Sequence, residues 1–349
     1  MGISDNTLTL TRALKLVFEG SRPALGDFLR LFWPSIRTYD TAEIPADEIP
    51  TSRKLARYRE MNGASNIFAF IPGKGIVYDP PTLAESTPIT EELARAVTAG
   101  LEASAPAQQH TLEKMSQIRS AHDGLFISAL VKQAMDILTF GKFQPKGKGG
   151  ANIGGVFDFG RDPANAIAPA ASAIAQMQAA YDQYKAKGGT SVNLVALIGS
   201  NVLSNLEQDG DFMNALKLQG LYAGHSRLVG DNRVVADIIP GGFKIPGRAA
   251  RCNLLVFDES YEDETGSLVP YMNPNGIIFT SLNAPRIQIY GGIYVVNQST
   301  KRGRMYKGEM ISDAHVKIDP DVYVLRSQSR PLLIPGDIDS VVYAEITGG

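Results

Sequence analysis

The side chains able to do chemistry in this sequence are four histidines, one cysteine and several carboxylate runs. His110, His122, His225 and His315 form no H-E-x-x-H motif and no pair at i,i+4 spacing. Each reads as a surface or interface residue rather than a metal ligand. Cys252 opens an apolar run beside Arg251 and reads as an inert, half-buried thiol. A single cysteine also excludes an intramolecular disulfide and a multi-thiolate metal site. Gly224-His-Ser-Arg-Leu228 has the order of a nucleophile elbow but lacks its second glycine. No Gly-Lys pair is followed by Ser or Thr, so no phosphate loop is present; Lys146-Gly-Lys-Gly-Gly150 reads as a flexible turn. Asp158-Phe-Gly160 matches a kinase tripeptide with no other kinase signature beside it. The acidic run from 258 to 264 reads as a solvated loop. The expectation is no catalytic, cofactor-binding or metal-binding residue.

Two basic clusters remain, Arg53-Lys-Leu-Ala-Arg-Tyr-Arg59 and Lys301-Arg-Gly-Arg-Met-Tyr-Lys307. Either could touch a phosphate backbone non-specifically or pair with acidic runs across a subunit boundary. Neither carries a groove-reading motif. The chain has 34 Lys and Arg against 36 Asp and Glu, a net charge of −2, which argues against a dedicated duplex-DNA binder. With 44% hydrophobic residues it can bury a core, and its 349 residues suggest about two domains. No run reaches the roughly 18 apolar residues of a membrane span, and the polar start lacks a signal-peptide pattern, so a soluble cytosolic product and no membrane partner are expected.

The elements that would position these residues follow from periodicity and punctuation. Residues 1–50 read as an arm: a short helix over 9–18, then a dense apolar cluster at 24–34 holding the only tryptophan, Trp33. A cluster this apolar must be covered, either by its own domain or by a neighbouring copy. Residues 67–71 and 76–78 read as strands of a protruding hairpin around Pro72-Gly73. Such a hairpin is marginal alone and needs a partner surface. Thr90 caps a helix that Ala105-Pro106 interrupts. A longer helix runs from about 109 to 139, with Leu112, Met115, Ile118, Leu125, Ala129, Ala134, Ile137 and Leu138 on its apolar stripe and Gly141 as its stop. At ~1.5 Å per residue it spans roughly 45 Å, long enough to act as a spine. A Gly-rich basic hairpin covers 142–160. A second, Ala-rich helix starts at Asp162-Pro163 and runs to about 187. A buried strand at 192–198, a helix at 201–218, strands across 233–295 and two late strands at 321–334 and 340–346 complete an α+β order without internal repeats.

These pieces are collinear with one family. The Phe28-Leu-Arg-Leu-Phe32 cluster with its following aromatic-proline step and Ile-Pro segments resembles the N-terminal entry of the lambda-type major capsid proteins of tailed bacteriophages (phage major capsid protein E). The long helix ending in Gly141-Lys-Phe, then Val156-Phe-Asp-Phe-Gly-Arg161, resembles that family's spine helix and hairpin. The stretches 275–293 and 328–346 resemble its late strand, glycine turn and closing segment. The stretch 60–115 and the Ala-rich helix depart most from the pattern.

The resemblance implies the Hong Kong 97-like fold, with an N-terminal arm at 1–50, an E-loop at 51–95, a P-domain at 96–161 and 311–349, and an A-domain at 162–310. It implies a non-enzymatic subunit that self-assembles into hexamers and pentamers of an icosahedral head around double-stranded DNA. The product would be part of the virion, put together in the host bacterial cytoplasm. Decoration, scaffolding and portal proteins would be further partners, and no cofactor is implied. An encapsulin-like nanocompartment shell, or an enzyme with an unrecognised site, are the alternatives. The residues expected at subunit contacts are Phe28, Leu29, Phe32 and Trp33 on the arm and Ile67, Phe68 and Phe70 on the loop. A heterologous contact repeated by closed symmetry would cover both surfaces.

Overall fold

The computed structural model describes residues 25–48, 74–89, 105–162, 167–189, 193–209, 243–245, 247–248, 251–296, 303–318 and 321–347. The cluster around Trp33 forms a helix, Leu25–Phe32, whose Phe28, Leu29 and Phe32 are buried. It packs on the long helix Ala105–Phe140, 36 residues and about 54 Å at ~1.5 Å per residue. The helix begins about four residues before the expected start, with Pro106 in its first turn, where the missing N–H has no intrahelical acceptor to lose; the helix expected to start at Thr90 lies outside the described residues. Gly141 ends it with φ 69°, its N–H donating to the Ile137 carbonyl at 2.8 Å. The apolar stripe is shifted from the sequence reading: Leu125 points outward, while Phe126, Ile127, Leu130 and Val131 are buried.

A five-stranded sheet lies against this helix. Its order is Val342–Glu345, Gly276–Ser281, Leu194–Ile198, Arg251–Val256 and Phe243–Lys244, with only Leu194–Ile198 and Arg251–Val256 parallel. Period-two alternation splits its side chains between two cores. Val195, Leu197, Leu255 and Ile278 face the long helix, together with Phe28, Phe32 and Trp33. Leu194, Ala196, Ile198, Ile277 and Phe279 face the helices Ala173–Ala186 and Ser200–Gln208. The helix starting at Ala173 does not begin at Asp162-Pro163 as read from sequence. Pro169 disfavours a helical residue before it, and Ser172 supplies the cap, its hydroxyl accepting from the Ala175 N–H at 3.3 Å.

Two three-stranded sheets join distant segments. In one, Arg286–Tyr290 lies between Ser35–Thr38, parallel, and Pro331–Pro335, antiparallel. In the other, Asp321–Ser329 lies between Ile311–Ile318 and Leu83–Ile89. The late strand read as one run over 321–334 is thus two, broken at Arg330. Four two-stranded ribbons complete the described residues: Ile44–Glu48 with Lys74–Tyr78, Lys142–Phe143 with Phe157–Asp158, Ser260–Glu262 with Leu268–Pro270, and Ile293–Val296 with Gly303–Tyr306. The strand around Ile76 therefore pairs with residues 44–48; its expected partner at 67–71 lies outside the described residues. The five-stranded sheet and the sheet holding Arg286 each draw strands from both sides of residue 310, so the expected A-domain and P-domain share sheets.

Candidate subunit-assembly surfaces

The arm residues expected at a subunit contact lie inside the subunit's own core. Trp33 and Phe32 are 0% exposed, and Phe28 and Leu29 are buried beside them. The reading that a neighbouring copy covers these four side chains is thereby corrected; the long helix and the sheet do it. The Phe28 ring packs 4.8 Å from Phe32 and 4.9 Å from Phe257. Ile67, Phe68 and Phe70 lie outside the described residues.

Arg286 is part of the same core. Its guanidinium sits 5.8 Å from the Phe32 ring centre and 5.7 Å from that of Trp33. It donates to the Ser281 carbonyl at 3.1 Å and to the Thr280 hydroxyl. Burial pulls its pKa down to about 10, which still leaves it charged at neutral pH. Gln288, two residues on, points the same way and donates to the Trp33 carbonyl at 2.8 Å.

Three polar clusters hold the segments that leave the core. Arg161 sits over the end of the long helix, donating to the carbonyls of Leu138 and Thr139 there and to that of Val341 beyond. It satisfies acceptors that every helix C-terminus leaves open. Arg330 donates to the carbonyls of Pro80 and Gly292 and to the Asp79 carboxylate, tying the end of the Lys74–Tyr78 strand to the Gly291-Gly292 turn. His122 was expected at a surface or interface and is instead buried. Its Nε2 lies 2.8 Å from the Thr87 hydroxyl and its Nδ1 2.9 Å from that of Ser327, which in turn lies 3.0 Å from that of Ser312. One imidazole thus joins the long helix to two strands of the sheet beside it. Desolvation holds it below the ordinary histidine range, partly opposed by the Glu85 charge.

The motifs with apparent chemistry take structural roles. The 148–150 turn is Gly-rich, but its Gly149 N–H donates to both Glu264 carboxylate oxygens, at 2.8 and 2.6 Å. A carboxylate of the same chain thus fills the place a phosphate would need, and the acidic run is in part a docking partner rather than a solvated loop. Cys252 is buried in the second core, and burial pushes its thiol up to about 12. Among the described residues no three His, Cys, Asp or Glu side chains group as a metal site. A cleft beside Leu29, Ile127 and Tyr290 contains Asp123 and Glu309 in its lining but no histidine, cysteine or lysine.

Large apolar side chains are exposed on or beside the two-stranded ribbons. Val77 on the first ribbon is 61% exposed and Leu268 on the third is 77% exposed. Phe140, Ile153 and Val156 stand out around the second ribbon, and Tyr294, Val296 and Tyr306 on the fourth. Exposed large apolar side chains gathered on ribbons suit contact with another protein surface.

A family model described as phage major capsid protein E matches residues 8–346. Among solved structures, a prophage capsid protein from Escherichia coli CFT073 superimposes with a TM-score of 0.62 at 15% identity, covering 98% of this chain and 99% of that one. A phage-related protein from Bordetella bronchiseptica RB50 matches with a TM-score of 0.49 at 9% identity, covering 97% and 96%. The virus-like particle from Pyrococcus furiosus gives 0.45 at 10% identity, covering 98% and 100%. Compared by sequence with curated proteins, the chain has no significant match. The first superposition carries the fold, a mixed helix-and-sheet phage-capsid architecture over the whole chain. The family model carries the assignment, and the chain belongs to the phage major capsid protein E family.

Proposed function

We propose that this major capsid protein builds the head of a tailed phage, its copies forming hexamers and pentamers of an icosahedral shell around double-stranded DNA. The observation that carries the reading is the family match over 8–346. Three two-stranded ribbons with exposed apolar side chains support it, because a two-stranded ribbon is marginal alone and gains stability from a covering surface. The role is structural, with no reaction catalysed. The subunit is assembled in the host cytoplasm and ends in the virion. Scaffolding, portal and decoration proteins are its further partners, and its contact with packaged DNA is non-specific.

In this reading residues 1–50 act as the arm, 51–95 as the E-loop, 96–161 with 311–349 as the P-domain and 162–310 as the A-domain. The ribbon of Ile44–Glu48 with Lys74–Tyr78 is the base of the E-loop, and Ile67, Phe68 and Phe70 beyond it bury on an adjacent subunit. Negative-stain images of the purified full chain test the proposal. Closed particles tens of nanometres across are expected by analogy with other closed homo-oligomeric shells. Small discrete oligomers alone, across salt concentrations and with a scaffold supplied, would overturn it. Shells packed with protein in place of DNA would turn the reading toward a nanocompartment.

A further inference from the structure

Two of the four ribbons carry opposite charge and matching apolar surface. The ribbon of Ile293–Val296 with Gly303–Tyr306 pairs with no further strand among the described residues. Its register sets Tyr294 opposite Met305 and Val296 opposite Gly303 on one face. Tyr306 and Arg304 share the other face with Ile293 and Val295. Tyr294 is 59% exposed, and the hydroxyl end of its ring lies over Gly303. A Cβ on Gly303 would come within 1.8 Å of the Tyr294 hydroxyl oxygen, so only glycine lets the ring lie there. The Arg304 guanidinium rests 5.8 Å from the Tyr306 ring centre. Lys307 follows directly, so the ribbon presents aromatic rings with two cations beside them.

The ribbon of Ser260–Glu262 with Leu268–Pro270 has the opposite character. Tyr261 is its inward anchor, its ring tilted against that of Tyr271 with centres 5.0 Å apart. Ser260, Glu262, Leu268 and Pro270 are all exposed, and Glu262 stands directly across from Leu268. The Asp263 carboxylate accepts from the Thr265 and Ser267 N–H groups, at 2.8 and 3.0 Å, and fixes the turn. Asp258, Glu259 and Glu262 make no ion pair among the described residues. Burial and the Asp258 charge raise the Glu259 pKa, as for carboxylates without a neighbouring cation.

We infer that the Tyr306 and Arg304 face of the cationic ribbon in one subunit docks on the Glu262 and Leu268 ribbon of a second copy. This rests on the capsid-subunit reading and names one of its contacts. The face with Tyr306 beside Arg304 and the face with Leu268 across from Glu262 each set an exposed apolar side chain beside a charge, and the charges are opposite. Since the two faces differ, the contact is head to tail and generates a ring where the rotation closes. Packaged DNA is not the proposed partner of the cationic ribbon, because a phosphate backbone would leave the apolar Val296 and the ring faces of Tyr294 and Tyr306 uncovered.

Charge reversal with rescue tests it on the full chain, read by sedimentation and negative-stain counts. Arg304→Glu and Glu262→Arg should each lower particle yield by roughly tenfold, the effect of about 1.4 kcal/mol per contact. The double variant, with the charges exchanged, should recover most of the yield. Leu268→Asp should lower yield as the single variants do. All the substituted side chains are exposed, so melting of the unassembled subunits should not move. Wild-type yield from Arg304→Glu, or a double variant no better than the singles, overturns the contact. Normal shells that hold less DNA would also overturn it, in favour of a phosphate contact. If the wild-type chain makes no particles at all, the capsid reading fails first and takes this contact with it.

Discussion

Arg286 lies 5.7 Å from the centre of the Trp33 ring, inside a core where both side chains are almost wholly buried. The Trp33 indole N–H finds no acceptor among the described residues, so the ring contributes through packing and through the cation over its face. Trp33→Ala should therefore destabilise the unassembled subunit by about 3–5 kcal/mol. Trp33→Phe, which loses no hydrogen bond, should cost roughly 1–2 kcal/mol. Urea unfolding of subunits held below the assembly concentration measures both. Equal effects of the two would show that shape and cation contact do not matter at this site.

His122 gives the subunit an acid limb. Its folded-state pKa lies below the ordinary 6.5, so the unfolded chain binds more protons in the window between the two values. The contribution is fully present above about pH 6.5 and is lost as the pH falls toward the folded value. Subunit stability should drop across that window, and His122→Gln should flatten the drop. A titration of the imidazole by NMR should place its midpoint below that of a free histidine; a midpoint above 6.5 would contradict this account.

The cap at the end of the long helix should be costly to remove. Arg161→Met leaves carbonyls of Leu138, Thr139 and Val341 without this donor, for about 1–3 kcal/mol. Gly141→Ala should be at least as harmful. Its φ is 69°, and the added Cβ would sit 2.5 Å from the Arg161 Cβ. Thermal melts of the two single variants and their combination should show less than additive losses, since both disturb one contact.

Cys252 should be silent toward thiol reagents. With the thiol buried and pushed up to about 12, labelling of the folded chain should be far slower than in denaturant. Fast labelling under native conditions would show that the second core opens readily.

On the proposed E-loop, Phe70→Asp should leave soluble, folded subunits that do not form shells. Circular dichroism and sedimentation together separate that outcome from misfolding. Shells formed at wild-type yield would remove Phe70 from the contact.

Much of this architecture can be read directly from residue types. Gly141, the Leu254-Leu-Val256 run, the β-branched run at 276–281 and the strand near 342 announce themselves through local chemistry. Leu83–Ile89 does not, because its sequence LAESTPI is polar and contains a proline; its strand state comes from pairing with Asp321–Ser329, far along the chain. The apolar cluster around Trp33 demands cover, but composition cannot say which molecule supplies it. His122 had a signal in the sequence: it falls four residues after Ile118, on the apolar stripe. Arg286 had none: Arg286, Gln288 and Tyr290 alternate with isoleucines, which by itself reads as a polar face turned to solvent, and only the packing of Phe32 and Trp33 on that face turns it inward.

Val342–Glu345 fills one edge of the five-stranded sheet, and Ser35–Thr38 pairs with residues some 250 positions later. Neither pairing can form before residues 287–290 and 342–345 have been made. Closure of the two cores therefore waits for strands distant in sequence, and such long-range closure is slow.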